Sequence, residues 1–224
     1  MIKFLIRSAL FAFVTYCLSG CVPASDDEFD EIYVGKLPLK TGNKWVYEIT
    51  RGSGSFTDSA EIKDYLPYQI DEITNRYLYL YKDIAFTLMM SEPEYDTVYV
   101  KLLEYDNDLL LQYGCEKRDR SGFPYGDAVI FDEPQTVLDH KDNSSVEELF
   151  ISSLDLNKNG FTITLNDTIV NCIKKRMIQS SGSFITTDLN YDLYYYFTDL
   201  GVLKIEGVVN SSAFSAKAVS CILK

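Results

Sequence analysis

The heptapeptide Lys44-Trp45-Val46-Tyr47-Glu48-Ile49-Thr50 puts Trp45, Tyr47 and Ile49 on one side of an extended chain and Val46, Glu48 and Thr50 on the other. A period of two is that of a strand with one packed face. The alternation is strict in Phe161-Thr162-Ile163-Thr164-Leu165, and in residues 76–83 Leu78 and Leu80 oppose Tyr77, Tyr79 and Tyr81. Further strand patterns cover 57–63, 96–105, 108–114, 128–132, 168–179, 192–198, 201–209 and 213–223. Between them stand short turn signals: RGSGS at 51–55, Asp106-Asn107-Asp108, Lys158-Asn159-Gly160, SSGS at 180–183 and Asp199-Leu200-Gly201. Apolar alternation broken by short polar turns predicts hairpins. The fold class expected is all-β and mainly antiparallel, either a curved sheet or half-barrel or a β-sandwich. One segment departs from this pattern. In Asn143–Phe150, Ser144 and Glu147 form a capping box, and Val146, Leu149, Phe150 and Leu154 follow at helical spacing. That predicts one short helix over an edge or mouth of the sheet.

The N-terminus carries Lys3 and Arg7, an apolar run from Ala9 to Tyr16, and then the small residues Ser19 and Gly20. This is the layout of a secretory signal, with an apolar part shorter than the ~20 residues a membrane-spanning helix needs. Leu18-Ser19-Gly20-Cys21 resembles the lipobox of bacterial lipoproteins at all four positions. The resemblance implies cleavage between Gly20 and Cys21 and lipid attachment, such as palmitate-containing acyl groups, at the Cys21 sulfur. A thiol suits the chemistry because sulfur is the soft nucleophile among side chains. Two or three acyl chains anchor durably, at ~0.8 kcal/mol per buried methylene. The expected organisation is a removed signal peptide (1–20), an acidic flexible tether (21–36) and a single β-rich domain (37–224). Asp26, Asp27, Glu28, Asp30 and Glu31 keep the tether solvated. Ser25-Asp26-Asp27-Glu28 is similar to the acidic export signal of some Bacteroidota lipoproteins. The expected location is the bacterial outer membrane, on its cell-surface or its periplasmic face, with Cys21 as the membrane partner.

The chain has 21 basic and 33 acidic residues and a net charge of −12. Loss of residues 1–20 removes Lys3 and Arg7 and no acid, leaving 19 basic residues and a charge of −14. Such a chain repels phosphate backbones, so nucleic acid is excluded as a partner. Of five cysteines, Cys17 leaves with the signal and Cys21 carries lipid. Among Cys115, Cys172 and Cys221, the candidate disulfide is Cys172 with Cys221, both in apolar strand patterns; the alternative is a buried reduced thiol at each.

No pattern of catalytic residues stands out, and no cofactor is expected. His140, the single histidine, sits in Asp139-His140-Lys141-Asp142 and reads as a solvated loop residue, without a Gly-x-Ser-x-Gly elbow to supply a nucleophile. Gly52-Ser53-Gly54 lacks the third glycine and the helix of a phosphate-binding loop. Asp155, Asn157 and Asn159 with Gly160 match the first half of a calcium loop, but position twelve is Asn166 and the following residues read as strand. Asn159-Gly160 makes an equally good hairpin turn. Adjacent acids such as Glu147-Glu148 leave an envelope hydrolase with paired carboxylates as the alternative function. The stretch Arg118–Asp127 mixes guanidinium groups with aromatics and is the longest irregular segment. It makes Phe123, Tyr125, Arg118 and Arg120 the ligand-binding candidates. Tyrosines at 77, 79, 81, 95, 99, 105 and 194–196 suit sugar or protein surfaces and are also good strand residues.

Leu37–Tyr47 and Tyr194–Lys204 resemble the opening and closing strands of β-rich envelope lipoproteins, some of which are similar to half-barrel carriers of acyl chains. The resemblance implies a curved sheet and no activity. The expectation is a non-enzymatic, lipid-anchored module that binds an apolar ligand or a protein or glycan partner.

Overall fold

The computed structural model describes residues 36–90, 97–119, 121–141, 146–179 and 190–224. The signal, the lipobox with Gly20 and Cys21, and the acidic tether up to residue 35 lie outside them. Eleven strands form one sheet among the described residues. They are β1 (Lys44–Arg51), β2 (Gly54–Gln69), β3 (Asn75–Lys82), β4 (Thr97–Asp106), β5 (Leu109–Asp119), β6 (Val129–Asp139), β7 (Val146–Lys158), β8 (Phe161–Gln179), β9 (Tyr191–Thr198), β10 (Gly201–Val209) and β11 (Ser212–Leu223). Every strand pattern read from alternation falls within one of them to within one residue at an end, so the all-β expectation holds.

The turn chemistry sets the register. β1 and β2 meet across Gly52-Ser53, β4 and β5 across Asn107-Asp108, β7 and β8 across Asn159-Gly160, and β9 and β10 across Asp199-Leu200. Asn159 and Gly160 both have positive φ, 54° and 83°, the backbone that joins two twisted strands without splaying them.

β11 closes the structure. Ser212–Lys217 pair antiparallel with β10, and Ser220–Leu223 on the same strand pair parallel with β7. β7, β8, β9, β10 and β11 thereby form a closed five-strand barrel. β1 pairs with β11 and begins the meander β1 to β6. Trp45 Nε1 donates to Leu200 O at 2.6 Å and the Tyr47 hydroxyl to Val202 O at 2.6 Å, so β1 is tied to β10 and the turn before it. The inward face of the opening heptapeptide, Trp45, Tyr47 and Ile49, is fully buried in a core shared by barrel and meander.

The meander also buries its other face. Leu78, Leu80, Val100, Leu102, Leu111 and Tyr113 form a second apolar cluster. β4 and β5 therefore read as near-continuous apolar runs, as strands covered on both sides do. A bulge between Ile62 and Asp64 re-phases β2, so that Ala60 and Ile62 serve the main core while Leu66 and Tyr68 pack on the second cluster.

The helix expected near Asn143–Phe150 is a strand: Val146–Lys158 is β7, paired with β8 from Val146–Ile173 down to Lys158–Phe161. A lone two-turn helix is marginal in water, whereas the ladder with β8 runs the length of the segment and buries Leu149, Ile151 and Leu154. Among the described residues, the short helix is elsewhere: α1 (Ile84–Met90) is capped by Asp83, whose Oδ1 accepts the Phe86 amide at 2.8 Å.

Candidate functional site

The candidate binding segment begins at the end of β5, where alternation sends Glu116 and Arg118 to one face and Lys117 to the other. Arg118 is buried, not offered to solvent. Its Nε and Nη2 reach Glu116 Oε2 at 3.1 and 3.0 Å, and its Nη1 donates to Gly122 O at 2.7 Å. The Tyr68 hydroxyl donates to the same Glu116 oxygen at 2.5 Å. Burial first, and the Glu116 carboxylate second, hold the Tyr68 phenol well above its ordinary range. This network fastens the turn to the sheet. The turn is also tighter than its composition predicts: Asp119 N donates to Phe123 O at 2.9 Å, Phe123 N to Asp119 Oδ1 at 2.9 Å, and Tyr125 N to Lys117 O at 2.7 Å. Phe123 and Tyr125 are exposed on it. Lys117 Nζ lies 5.7 Å from the Tyr99 ring centre and 5.2 Å from that of Tyr125. Arg120 lies outside the described residues.

Beside this turn is an open cleft of about 730 Å³ lined by Asp58, Lys63, Asp64, Lys82, Thr97 and Arg118, with Asp119, Ser121 and Gly122 at the turn. That volume is in the range of small-molecule sites. Its walls carry both carboxylates and ammonium groups beside the apolar Leu88, Val98 and Val100, and Lys82 bonds Asp58 at 2.9 Å. The Thr97 hydroxyl is buried in the wall without a hydrogen-bond partner. None of the residues of β2 to β4 in this cleft stood out in the sequence. They come from separate strands, and only register brings them together. The available signal was charge at an inward phase, as in Glu116 and Arg118 after an apolar run.

Where the meander meets the barrel, among Leu37, Tyr81, Asp83, Lys101, Phe197 and Val202, the void is about 10 Å³. That is about enough for one water and far below an acyl chain. Aromatic side chains of β1, β3 and β9, chiefly Trp45, Tyr47, Tyr81, Tyr195 and Phe197, are buried in this core.

The remaining sequence candidates are placed as follows. Asp155 and Asn157 sit on the straight β7 arm of the hairpin, bonded to Thr164 Oγ1 at 2.7 Å and Thr162 Oγ1 at 3.2 Å, and Asn159 is in its turn. No group of three or more His, Cys, Asp or Glu side chains gathers at a metal-binding spacing among the described residues. His140 is a correction: it is buried, with its ring 5.5 Å from that of Tyr105, because its amide continues the β5–β6 hairpin through Asp108 O. The Cys172–Cys221 bridge is not formed, and Cys115, Cys172 and Cys221 are buried free thiols. Cys172 pairs with Glu147 and Cys221 with Leu156, nine residues further along β7, which separates them by on the order of 30 Å. Burial pushes the Cys115 and Cys221 thiols up to about 11 and about 12, which keeps them unreactive. Glu147 and Glu148 alternate to opposite faces of β7, and Glu147 bonds Lys174 at 3.3 Å. Among the described residues, the carboxyls with displaced titration, Asp71, Asp192 and Glu206, all move down. The Ile73 and Thr74 amides lower Asp71, and Arg176 lowers Asp192. For Glu206, burial raises it, but hydrogen bonds from Lys204 and Tyr196 prevail.

No family model matches the chain, and no curated protein matches it. Among solved structures, a provisionally assigned lipoprotein of Parabacteroides distasonis, a crystal structure at 2.70 Å resolution, overlaps 84% of this chain and 98% of its own, at 10% identity and a TM-score of 0.33. A superposition this loose decides neither fold nor activity.

Proposed function

We propose that this protein is a lipid-anchored, non-enzymatic binding module of the bacterial cell envelope that takes a polar partner of the glycan class on the outside of a filled β scaffold. The observation that carries the reading is the contrast between the two spaces: an open cleft of about 730 Å³ with mixed charge and a core void of about 10 Å³. A sugar ring presents hydroxyls that donate and accept, together with an apolar face. Asp64, Lys63 and Asp119 supply acceptors and donors in the cleft, and Phe123 stands exposed on the turn that borders it. The Arg118–Glu116–Tyr68 network supports the reading by holding that turn in place before any ligand arrives. The anchor rests on Leu18-Ser19-Gly20-Cys21.

The test is an array of envelope and host oligosaccharides probed with the detergent-solubilised full chain. Binding is expected for at least one glycan class, with affinity reduced about tenfold or more by Asp64→Ala and by Phe123→Ala. An array without binding, or binding that neither substitution changes, rejects the reading. Labelling of cells with radioactive palmitate is expected to mark the wild type and to fail with Cys21→Ser.

A further inference from the structure

Among the described residues, the closed barrel leaves part of the β8 edge uncovered. β8 pairs with β7 from Phe161 to Ile173, but with β9 only from Ile173 to Gln179. Among the described residues, the edge from Phe161 to Cys172 that faces away from β7 therefore has no partner strand. Its apolar side chains are also uncovered, Phe161 at 77% exposure and Ile163 at 58%. The edge at β6, the last strand of the sheet, differs. Its register jumps between Gln112–Gln135 and Gly114–Ile130, and the looped-out residues are Phe131, Asp132, Glu133 and Pro134. Bulges, acids and proline are how a strand edge is kept from pairing. The free stretch of β8, FTITLN, has no charge and no proline.

We propose that this edge is the contact between two copies of the chain, with β8 pairing antiparallel to its own copy about a twofold axis through Ile163. The backbone is phased for it. Lys158 and Phe161 flank a two-residue turn and so exchange hydrogen bonds with each other, which turns the N–H and C=O of Thr162 and Thr164 away from β7, toward the free edge. An axis at Ile163 sets Thr162 opposite Thr164 of the second copy, so four backbone hydrogen bonds form, with Ile163 facing Ile163 across a non-hydrogen-bonded pair. On one face, Phe161 meets Leu165 of the second copy on both sides of the isoleucine pair. On the other, threonine meets threonine, a favourable cross-strand pair.

The charges agree with this register. In a chain of net charge −12, the contact stretch from Phe161 to Asn166 is neutral, so no like charges face each other within it. Asp167, at φ 46°, departs from the extended backbone of β8, and the proposed pairing lies on its N-terminal side. Such a twofold contact is self-complementary and closed, which distinguishes it from open edge-to-edge aggregation. It lies at the small end of specific interfaces, so association depends on concentration.

The experiment is register-specific cross-linking of the full-length protein in the membranes of expressing cells. Paired residues on the axis stand ~4.5 Å apart between Cα atoms, within the reach of a disulfide. Under mild oxidation Ile163→Cys is expected to give a covalent dimer, whereas Ile73→Cys, at 93% exposure on the β2–β3 turn, gives less than a tenth as much. In detergent, light scattering is expected to find Ile163→Lys and Ile163→Glu monomeric when alone and dimeric when mixed, because like charges face each other in the first two cases and opposite charges in the third. Both substitutions fall on an exposed side chain, and tryptophan emission checks that the fold is intact. Equal cross-linking at 73 and 163, no cross-linking at 163, cross-linking to a different protein, or a mixture that stays monomeric each overturns the proposal.

Discussion

Lys101 Nζ lies 2.9 Å from Asp83 Oδ2 with both side chains buried, and Asp83 Oδ1 accepts the Phe86 amide at 2.8 Å and the Tyr195 hydroxyl at 3.2 Å. The ammonium also stands 5.3 and 5.4 Å from the Phe86 and Tyr195 ring centres. One carboxylate thus joins the start of α1, the middle of β4 and the inner face of the barrel strand β9. A buried pair gains little over an apolar pair of the same shape, but removing one partner strands a charge. Asp83→Ala is expected to cost ~3–5 kcal/mol. The double variant Asp83→Asn with Lys101→Met keeps a cap acceptor, removes both charges and is expected to lose much less. Urea midpoints of the three proteins decide the point, and a double variant as unstable as Asp83→Ala contradicts it.

Gly201 has φ +111°, and a Cβ built on it would lie 2.4 Å from Trp45 Nε1, the same nitrogen that donates to Leu200 O. The glycine leaves room for the indole, and the indole fixes the β9–β10 turn against β1. Gly201→Ala has to displace the ring and hold a left-handed backbone, a combined cost of ~2–4 kcal/mol from overpacking and φ strain. Trp45 is the single tryptophan, so its emission reports on this contact alone. A lower melting temperature with red-shifted emission is expected, and an unchanged melt together with unchanged emission refutes the role.

What was legible in the sequence follows from the range of the forces involved. A strand declares itself locally, because burial of one face selects alternate residues, and Trp45, Tyr47 and Ile49 are found inside as their spacing requires. Asn159-Gly160 sets its hairpin equally locally. The split of β11 between β10 and β7 left no such mark, since it depends on which distant edges remain free once the hairpins have formed. Ser144 and Glu147 carry a real helical preference, and a long ladder outweighs it in β7. Arg118 was singled out for its charge, but its partner Glu116 turns it into a support for the turn, while Phe123 and Tyr125 stay exposed. Asp58, Asp64 and Thr97 become neighbours in a cleft only through register, which no short window contains.

The tyrosines give the fold an alkaline limit. Burial pushes the phenols of Tyr47, Tyr81 and Tyr195 well above their ordinary range, and burial together with the nearby Asp83 carboxylate pushes Tyr191 up to about 12. In the unfolded chain these groups ionise near pH 10. A folded-state value raised above the unfolded one contributes stability that is complete below about pH 10 and is lost as pH rises toward the folded value, because over that interval only the native state keeps the proton. Each such group removes up to ~1.4 kcal/mol per pH unit in that window. The protein is therefore expected to unfold cooperatively between about pH 10 and pH 12, and the buried phenols should ionise in that transition, not before it. Tyrosinate absorbance and circular dichroism followed in one titration test this. The late part of the absorbance rise should coincide with loss of the strand signal. Complete ionisation of the tyrosines while that signal persists would show that the buried phenols do not set the limit.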